Sequence, residues 1–356
     1  MSTDTAARPL PFLRGVRIVL ELELAQRVRG TSSFVLLGLF FVLVGAVTGL
    51  LVVATGVLSG SGAVVGGWIF SVLVYFVLLL GSLVTPALSG TAVNGDRDAG
   101  TLATTQVTLV TTAQLVLGKF ASAWLVALAF LVSTVPFLLI AVAVGGVSLV
   151  TASVSVLVLA VQLGVVAAVG VGLSGILDRP LMSVVTTYLV VAALSIGSLI
   201  SFGLLTAVTT STQRTVYSDS TEREGDDGYY CGDDYEMQVA RPDYYWGLLA
   251  LNPFVVLADA VPAEFGEYGQ PNDLFGGISL LVRQAQIAPD LLIEVDCEDP
   301  INYPTSTSVD EVFDRTVPSW FVGLGLQLVL AVGLLLGAVR RTATPAARLP
   351  RGRRVA

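Results

Sequence analysis

Apolar residues gather into long runs without charge, and the charged residues fall in blocks between them. A helix needs about 20 apolar residues to cross a hydrocarbon layer. Six runs reach that length: Phe34 to Gly56, Val65 to Leu88, Ala121 to Val144, Leu149 to Gly175, Leu181 to Val208 and Trp320 to Val339. The Ser/Gly stretch LSGSGA separates the first two. Residues 120 to 177 carry no charge and exceed one crossing, so the Gly145-Gly146 pair is the expected break, and Asp178-Arg179-Pro180 marks the next. The pattern predicts an all-α polytopic membrane protein with six transmembrane helices and both termini on one side. The first run is too long for a signal-peptide core and lacks a small-residue cleavage site, so it is read as an anchor.

Composition agrees: 54% of the residues are apolar, 13% are charged and the mean hydropathy is +0.80, values foreign to a water-soluble domain. The distribution of charge gives the expected orientation. Fourteen basic and six acidic residues lie on the side of the termini, +8, against five and twenty-one on the other, −16; together these make the total of −8. Short cytoplasmic segments retain Lys and Arg, so both termini are expected inside and the chain in the cell membrane. The organisation is then a cytoplasmic arm (1–33), five spans (34–208) with a cytoplasmic loop at 89–119, an acidic extracytoplasmic region (209–319), a sixth span (320–339) and a basic tail (340–356). Trp68 and Trp320 fall at outer interfaces and Trp124 at an inner one.

The arm alternates apolar and charged positions over residues 10–30. Arg14, Arg17 and Glu21 are spaced to share a helical face and Glu23 faces Arg27, which predicts a helix lying on the inner membrane surface. The loop 89–119 is too polar to span and too apolar to float free, with Asp98 or Thr101 able to cap a short helix and Leu102 offering an apolar contact. In the outer region, YWGLLALNPFVVLADAVP and GGISLLVRQAQI read as short helices returning to the membrane face. Asn252 and Asp259 argue against a seventh crossing, since a charge at the bilayer centre costs about 3 kcal/mol on insertion scales. Cys231 and Cys297 share that region, and the sequence leaves a disulfide or two free thiols open. The cluster Asp226, Asp227, Asp233, Asp234, Glu236 lacks the order of a calcium loop and reads as a solvated surface.

Candidate chemistry is sparse. The chain has no histidine, which removes the commonest general base and metal ligand, and two cysteines cannot make a four-thiolate metal site. The spans contain no Asp, Glu, Lys, Arg or His, which disfavours an ion-coupled pump. No G-x-x-x-x-G-K-[ST] occurs; LVLGKFAS around Lys119 lacks the first Gly and the final Ser/Thr. No catalytic residues, metal or cofactor are expected in this chain. Gln162 and Gln327 are the candidates for a polar path among the spans, and Gly45, Gly49, Gly164, Gly170, Gly172 and Gly175 for close helix packing.

The loop segment DRDAGTLATTQVTLVTTAQLVLGK resembles the stretch after the second span of ABC-2 type transporter permeases, through Asp96, Arg97, Asp98, Gly100, Thr101, Leu102, Gly118 and Lys119. The resemblance implies a coupling helix that docks on a separate ABC ATPase subunit, a second permease chain (a homodimer or a sister permease), and ATP with Mg used by the partner. Ala99 and Ala103 stand where that family often has charge, and the outer segment is enlarged. The expected function is the permease subunit of an ATP-driven transporter, an exporter. The alternative is a non-transporting anchor or receptor whose acidic outer region binds a partner or ion.

Overall fold

A computed structural model describes residues 11–58, 65–99, 110–218, 234–296 and 308–343. The helices are α1 (Phe12–Arg29), α2 (Thr31–Leu58), α3 (Val65–Ser89), α4 (Asn94–Asp98), α5 (Thr112–Gly145), α6 (Leu149–Ile176), α7 (Pro180–Val208), α8 (Trp246–Ala250), α9 (Pro253–Ala260), α10 (Leu274–Gln284), α11 (Val309–Arg315) and α12 (Ser319–Thr342). Six of them, α2, α3, α5, α6, α7 and α12, are long and apolar enough to cross a membrane.

The elements start and stop for local reasons. Thr111 and Gln114 form a capping box, with Gln114 N–H donating to Thr111 Oγ1 at 3.3 Å and Thr111 N–H to Gln114 Oε1 at 2.7 Å, so α5 begins nine residues before the predicted Ala121. Trp124 then lies about 18 Å into α5 by helical rise, where its Nε1 donates to the Ala160 carbonyl at 2.8 Å. The break between α5 and α6 is the glycine pair: Gly146 has φ +60°, a left-handed turn that favours glycine. Ser148 then caps α6 by accepting from Thr151 N–H.

Helix α6 is the spine, with α3, α5, α7 and α12 packed around it. Its glycines explain the close approach. A Cβ at Gly164 would lie 3.0 Å from the Trp124 indole nitrogen, one at Gly172 2.6 Å from Leu334 and one at Gly175 2.5 Å from Ala338; one at Gly170 would collide with Ser89. Because Gly172 meets Leu334 and Gly175 meets Ala338, α6 and α12 run side by side in the same direction. On the periphery Gly45 receives the Phe137 ring, while Gly49 faces open space.

The bundle has two unlike ends. One gathers α1, α4, the 177–179 turn and the last turn of α12. The other carries α8 to α11 and a three-stranded sheet of β1 (Thr210–Ser218), β2 (Tyr235–Ala240) and β3 (Leu292–Asp296), ordered β2-β1-β3. There β1 pairs antiparallel with β2, Thr212 opposite Gln238, and parallel with β3, Thr215 opposite Ile293. The sheet was not anticipated from the sequence.

The apolar pieces between β2 and α12 do more than return to a surface. Helices α8 and α9 form a pair that turns back into the bundle, re-entrant in that sense, and its tip, Leu251-Asn252-Pro253, is wedged among α3, α7 and α12. Tyr75 Oη donates to the Phe254 carbonyl at 3.2 Å, Gln327 Nε2 to the Leu251 carbonyl at 2.9 Å, and Asn252 Nδ2 to the Ser195 carbonyl at 2.6 Å. These partners lie roughly 12 to 20 Å along their helices from the sheet-side ends. Residues Ala193–Gly197 of α7 form a π-turn, and Asn252 donates to a carbonyl within it, that of Ser195. Asn252 also caps α9 by accepting from Phe254 N–H.

Two carboxylates fix this assembly. Asp259 of α9 accepts from Arg283 Nε and Ser279 Oγ of α10, both at 2.8 Å, and from the Ser319 and Trp320 N–H groups that open α12. It therefore binds the positive end of that helix's dipole. Asp273 caps α10 through Gly276 N–H at 2.7 Å, and Leu274 N–H donates to Ser71 Oγ of α3.

The Asp259–Arg283 pair is buried on both sides, 0% and 6% exposed, and breaking a buried pair costs about 3–5 kcal/mol. Asp259→Ala is expected to lower the thermal midpoint of the detergent-solubilised protein accordingly, and adding Arg283→Met to recover part of the loss, because no lone charge remains. Equal midpoints for the single variant and the parent would refute the node. Burial pushes the Asp273 carboxyl above its ordinary value; the Gly276 N–H opposes and Glu264 reinforces the shift. A raised carboxyl favours the fold fully below the ordinary value and loses that contribution as pH rises through the raised one. The stability advantage of the parent over Asp273→Asn should therefore shrink as pH rises above about 4, as measured by paired thermal melts; a constant difference would remove Asp273 from the titration.

Candidate functional site

The polar end of the bundle collects most of the residues that the loop motif singled out. Lys119 lies two turns into α5, is only 2% exposed, and is ion-paired to Glu23 of α1 and to Asp96 of α4, the latter at 2.6 Å. Three elements distant in the chain thus meet on one ammonium group. Arg97 points the other way, donating to Asp178 at 2.9 Å in the turn after α6; Arg341, at the end of α12, approaches the same carboxylate at 3.8 Å.

Packing makes this geometry possible. A Cβ at Gly118 would lie 2.6 Å from Val19, and one at Gly15 2.5 Å from the Gln114 amide, so α1 and the first turns of α5 are in near-backbone contact. Gln114 Nε2 donates to the Phe12 carbonyl at 3.3 Å, and Arg27 Nη2 to the Leu88 carbonyl at 2.9 Å at the end of α3. Burial pushes the Arg27 guanidinium down while Glu23 pulls it up. Arg17 pairs with Glu21 at 2.7 Å along α1. Glu23, read from spacing as facing Arg27, makes its ion pair with Lys119.

α4 is also tied to the spine. Ser174 Oγ of α6 donates to Asn94 Oδ1 at 3.0 Å and accepts from the Val93 and Asn94 N–H groups. Asn94 and Ser174 are both fully buried. The short helix is therefore held by hydrogen bonds to α6 on one flank and by charge to α1, α5 and the 177–179 turn on the others.

Against the sequence reading, Asp96, Arg97, Gly118 and Lys119 fall in this cluster. Asp98 is exposed and ends α4, and the segment it was expected to cap lies outside the described residues. Gly100, Thr101 and Leu102 lie outside the described residues, as do Cys231 and Cys297. Gln162 and Gln327 are far from the cluster, buried in α6 and α12. Glu23, Asn94, Gln114 and Ser174 were missed. Glu23 had one signal, as one of three acids in a mainly basic and apolar arm, but its partner is 96 residues away.

The chain matches no known family model and no curated protein, so its function has to be read from these residues and their arrangement.

Removing the ammonium leaves two partly buried carboxylates facing each other. Lys119→Met is expected to cost about 3–5 kcal/mol, and Lys119→Met combined with Glu23→Gln and Asp96→Asn distinctly less, as measured by thermal melts in detergent. A triple variant no more stable than the single one would show that the three charges do not interact as a unit.

Proposed function

We propose that this chain is the membrane-spanning permease subunit of an ATP-driven ABC-type transporter, an exporter, in the cell membrane with both termini cytoplasmic. The observation that carries the reading is the attachment of α4. A short polar helix between two long apolar ones is joined by a buried ion triad to α1 and α5 and by Ser174 to the central helix. A force applied to that loop by a partner would reach the spine through bonds that are short and buried.

Further support comes from the near absence of charge in the six long helices among the described residues, where Lys119, two turns into α5, and Arg340 and Arg341, in the last turn of α12, are the ionisable Asp, Glu, Lys, Arg or His groups. Such an interior offers no group for proton or ion coupling, and a Walker motif is lacking in the sequence, so the energy is assigned to a separate ATPase subunit using ATP and Mg. A second permease chain would complete the transporter. Gln162 and Gln327, on the two helices of the central seam, are assigned to the translocation path.

A second reading is favoured by the sheet. Among the described residues β2 and β3 have no further strand on their outer edges, and Tyr235 and Met237 are exposed, as a receptor or anchor with an outward binding surface would have. The two readings part on one experiment. Purification from native membranes in mild detergent should bring down a P-loop ATPase in stoichiometric amount, and Arg97→Ala with Leu102→Ala should weaken its retention about tenfold, the loss of one well-made contact. Absence of any ATPase from the folded protein would overturn the transporter reading and favour the receptor.

A further inference from the structure

Gln162 and Gln327 are 1% and 2% exposed. Gln162 shares a helical stripe with Val165, Val169 and Gly172, and Gln327 shares one with Ala331, Leu334 and Ala338. Val165 and Val169 pack with Ala331, and Gly172 meets Leu334, so the two glutamines lie on facing stripes of the same seam. Counting back from the Gly172–Leu334 contact, their levels differ by about 5 Å. The re-entrant tip borders the seam, because Gln327 Nε2 donates to the Leu251 carbonyl while the adjacent Asn252 reaches Ser195 of α7.

Three polar atoms around this tip have no partner among the described residues: Gln162 Nε2, Gln327 Oε1 and Ser195 Oγ. The first donates, the second accepts and the third does either. Unmet polar atoms in an apolar interior are unfavourable and call for an explanation. Their complementarity supplies one, since a hydroxyl accepts one hydrogen bond and donates another. A charged group is excluded by the same surroundings. α6 carries no Asp, Glu, Lys, Arg or His, α12 carries charge only in its last turn, and an unpaired ion there would be strongly disfavoured.

We propose that the α6–α12 seam at the re-entrant tip binds the hydroxyl of an uncharged amphipathic molecule, with Gln162 donating to it and Gln327 accepting from it. The molecule's apolar body enters as the seam parts, because Val165, Val169 and Ala331 are packed against one another in the closed arrangement. This rests on the assignment of the seam to the translocation path and names the cargo class as neutral, hydroxylated and apolar elsewhere.

The test uses the full chain in detergent without any ATPase, so its failure leaves the transporter reading intact, and loss of the ATPase leaves a positive result intact. The probes are a long-chain alcohol carrying a diazirine, its methyl ether and its phosphate monoester. After irradiation, the alcohol should label peptides around Gln162 and Gln327 about tenfold more than either analogue, since a site built to hydrogen-bond a hydroxyl rejects molecules lacking it. Excess unlabelled alcohol should compete the label away in the unaltered protein, a readout that needs no variant. Gln162→Met and Gln327→Met, of similar volume and checked by thermal melts, should each reduce labelling about tenfold. Equal labelling by all three probes, or labelling unchanged by both substitutions, overturns the site. So does radiolytic hydroxyl labelling of the seam from bound water in a protein that the alcohol leaves unmarked, which assigns the hydroxyl to structural water.

Discussion

A polar atom surrounded by apolar helices has no water to turn to, and the need to pair such atoms governs this architecture. Irregular backbone survives among spans only where protein groups meet its donors and acceptors. At the tip of the re-entrant pair α8–α9, Tyr75 donates to the Phe254 carbonyl and Gln327 to the Leu251 carbonyl, while Asn252 of the tip donates to the Ser195 carbonyl of α7. The far end of the pair is held by Asp259, which serves Arg283 and the opening of α12 at once. The π-turn of α7 belongs to the same account, because Asn252 binds a carbonyl within it.

Helix α6 can serve as the spine because its glycines let neighbours approach to backbone distance. In a medium as apolar as the side chains themselves, association of helices rests on packing and hydrogen bonds, so small residues carry the contact. α2 and α7 differ in kind. They are the least buried of the long helices, and their exposed Phe, Leu, Val and Ile side chains suit contact with lipid acyl chains. The chain is thus a tight unit of α3, α5, α6 and α12 flanked by two lightly attached helices, with α1 bound to one end through Gly15 and Gly118.

The sequence disclosed the parts that depend on local composition. Six charge-free runs became six long helices, and Gly145-Gly146 divided the longest of them, because a run of apolar residues and a left-handed glycine are signals that need no tertiary context. The start of α5 was misplaced because Thr111 and Gln114 lie in a stretch that reads as loop until α1 packs on it. The sheet was invisible for a similar reason: Thr210 to Ser218 is too polar to announce a buried strand, and its pairing joins segments far apart in the chain. Within the candidate site, Asp96, Arg97, Gly118 and Lys119 were picked out by a motif, but their arrangement was not. Lys119 finds Glu23 across 96 residues, a partner that no spacing rule along one helix can supply. Asn252 and Asp259 were recognised as unfit for a full crossing, although what they do instead, fixing the α8–α9 pair within the bundle, emerges only from the packing.

The placement of charge bears on how such a bundle would be driven. Among the described residues, ion pairs are confined to the two ends: the Glu23–Lys119–Asp96 triad and Arg97–Asp178 at one, Asp259–Arg283 at the other. Between them the long helices meet through glycines, aliphatic side chains and uncharged hydrogen bonds. Sliding one apolar helix on another there exposes no ion, so it carries no large electrostatic barrier. Rotating an end does, because buried ions must stay paired. Under the proposed function this division assigns each part a role. The charged ends move as rigid pieces and accept force from outside, while the uncharged seam between α6 and α12 is the surface along which the structure can yield.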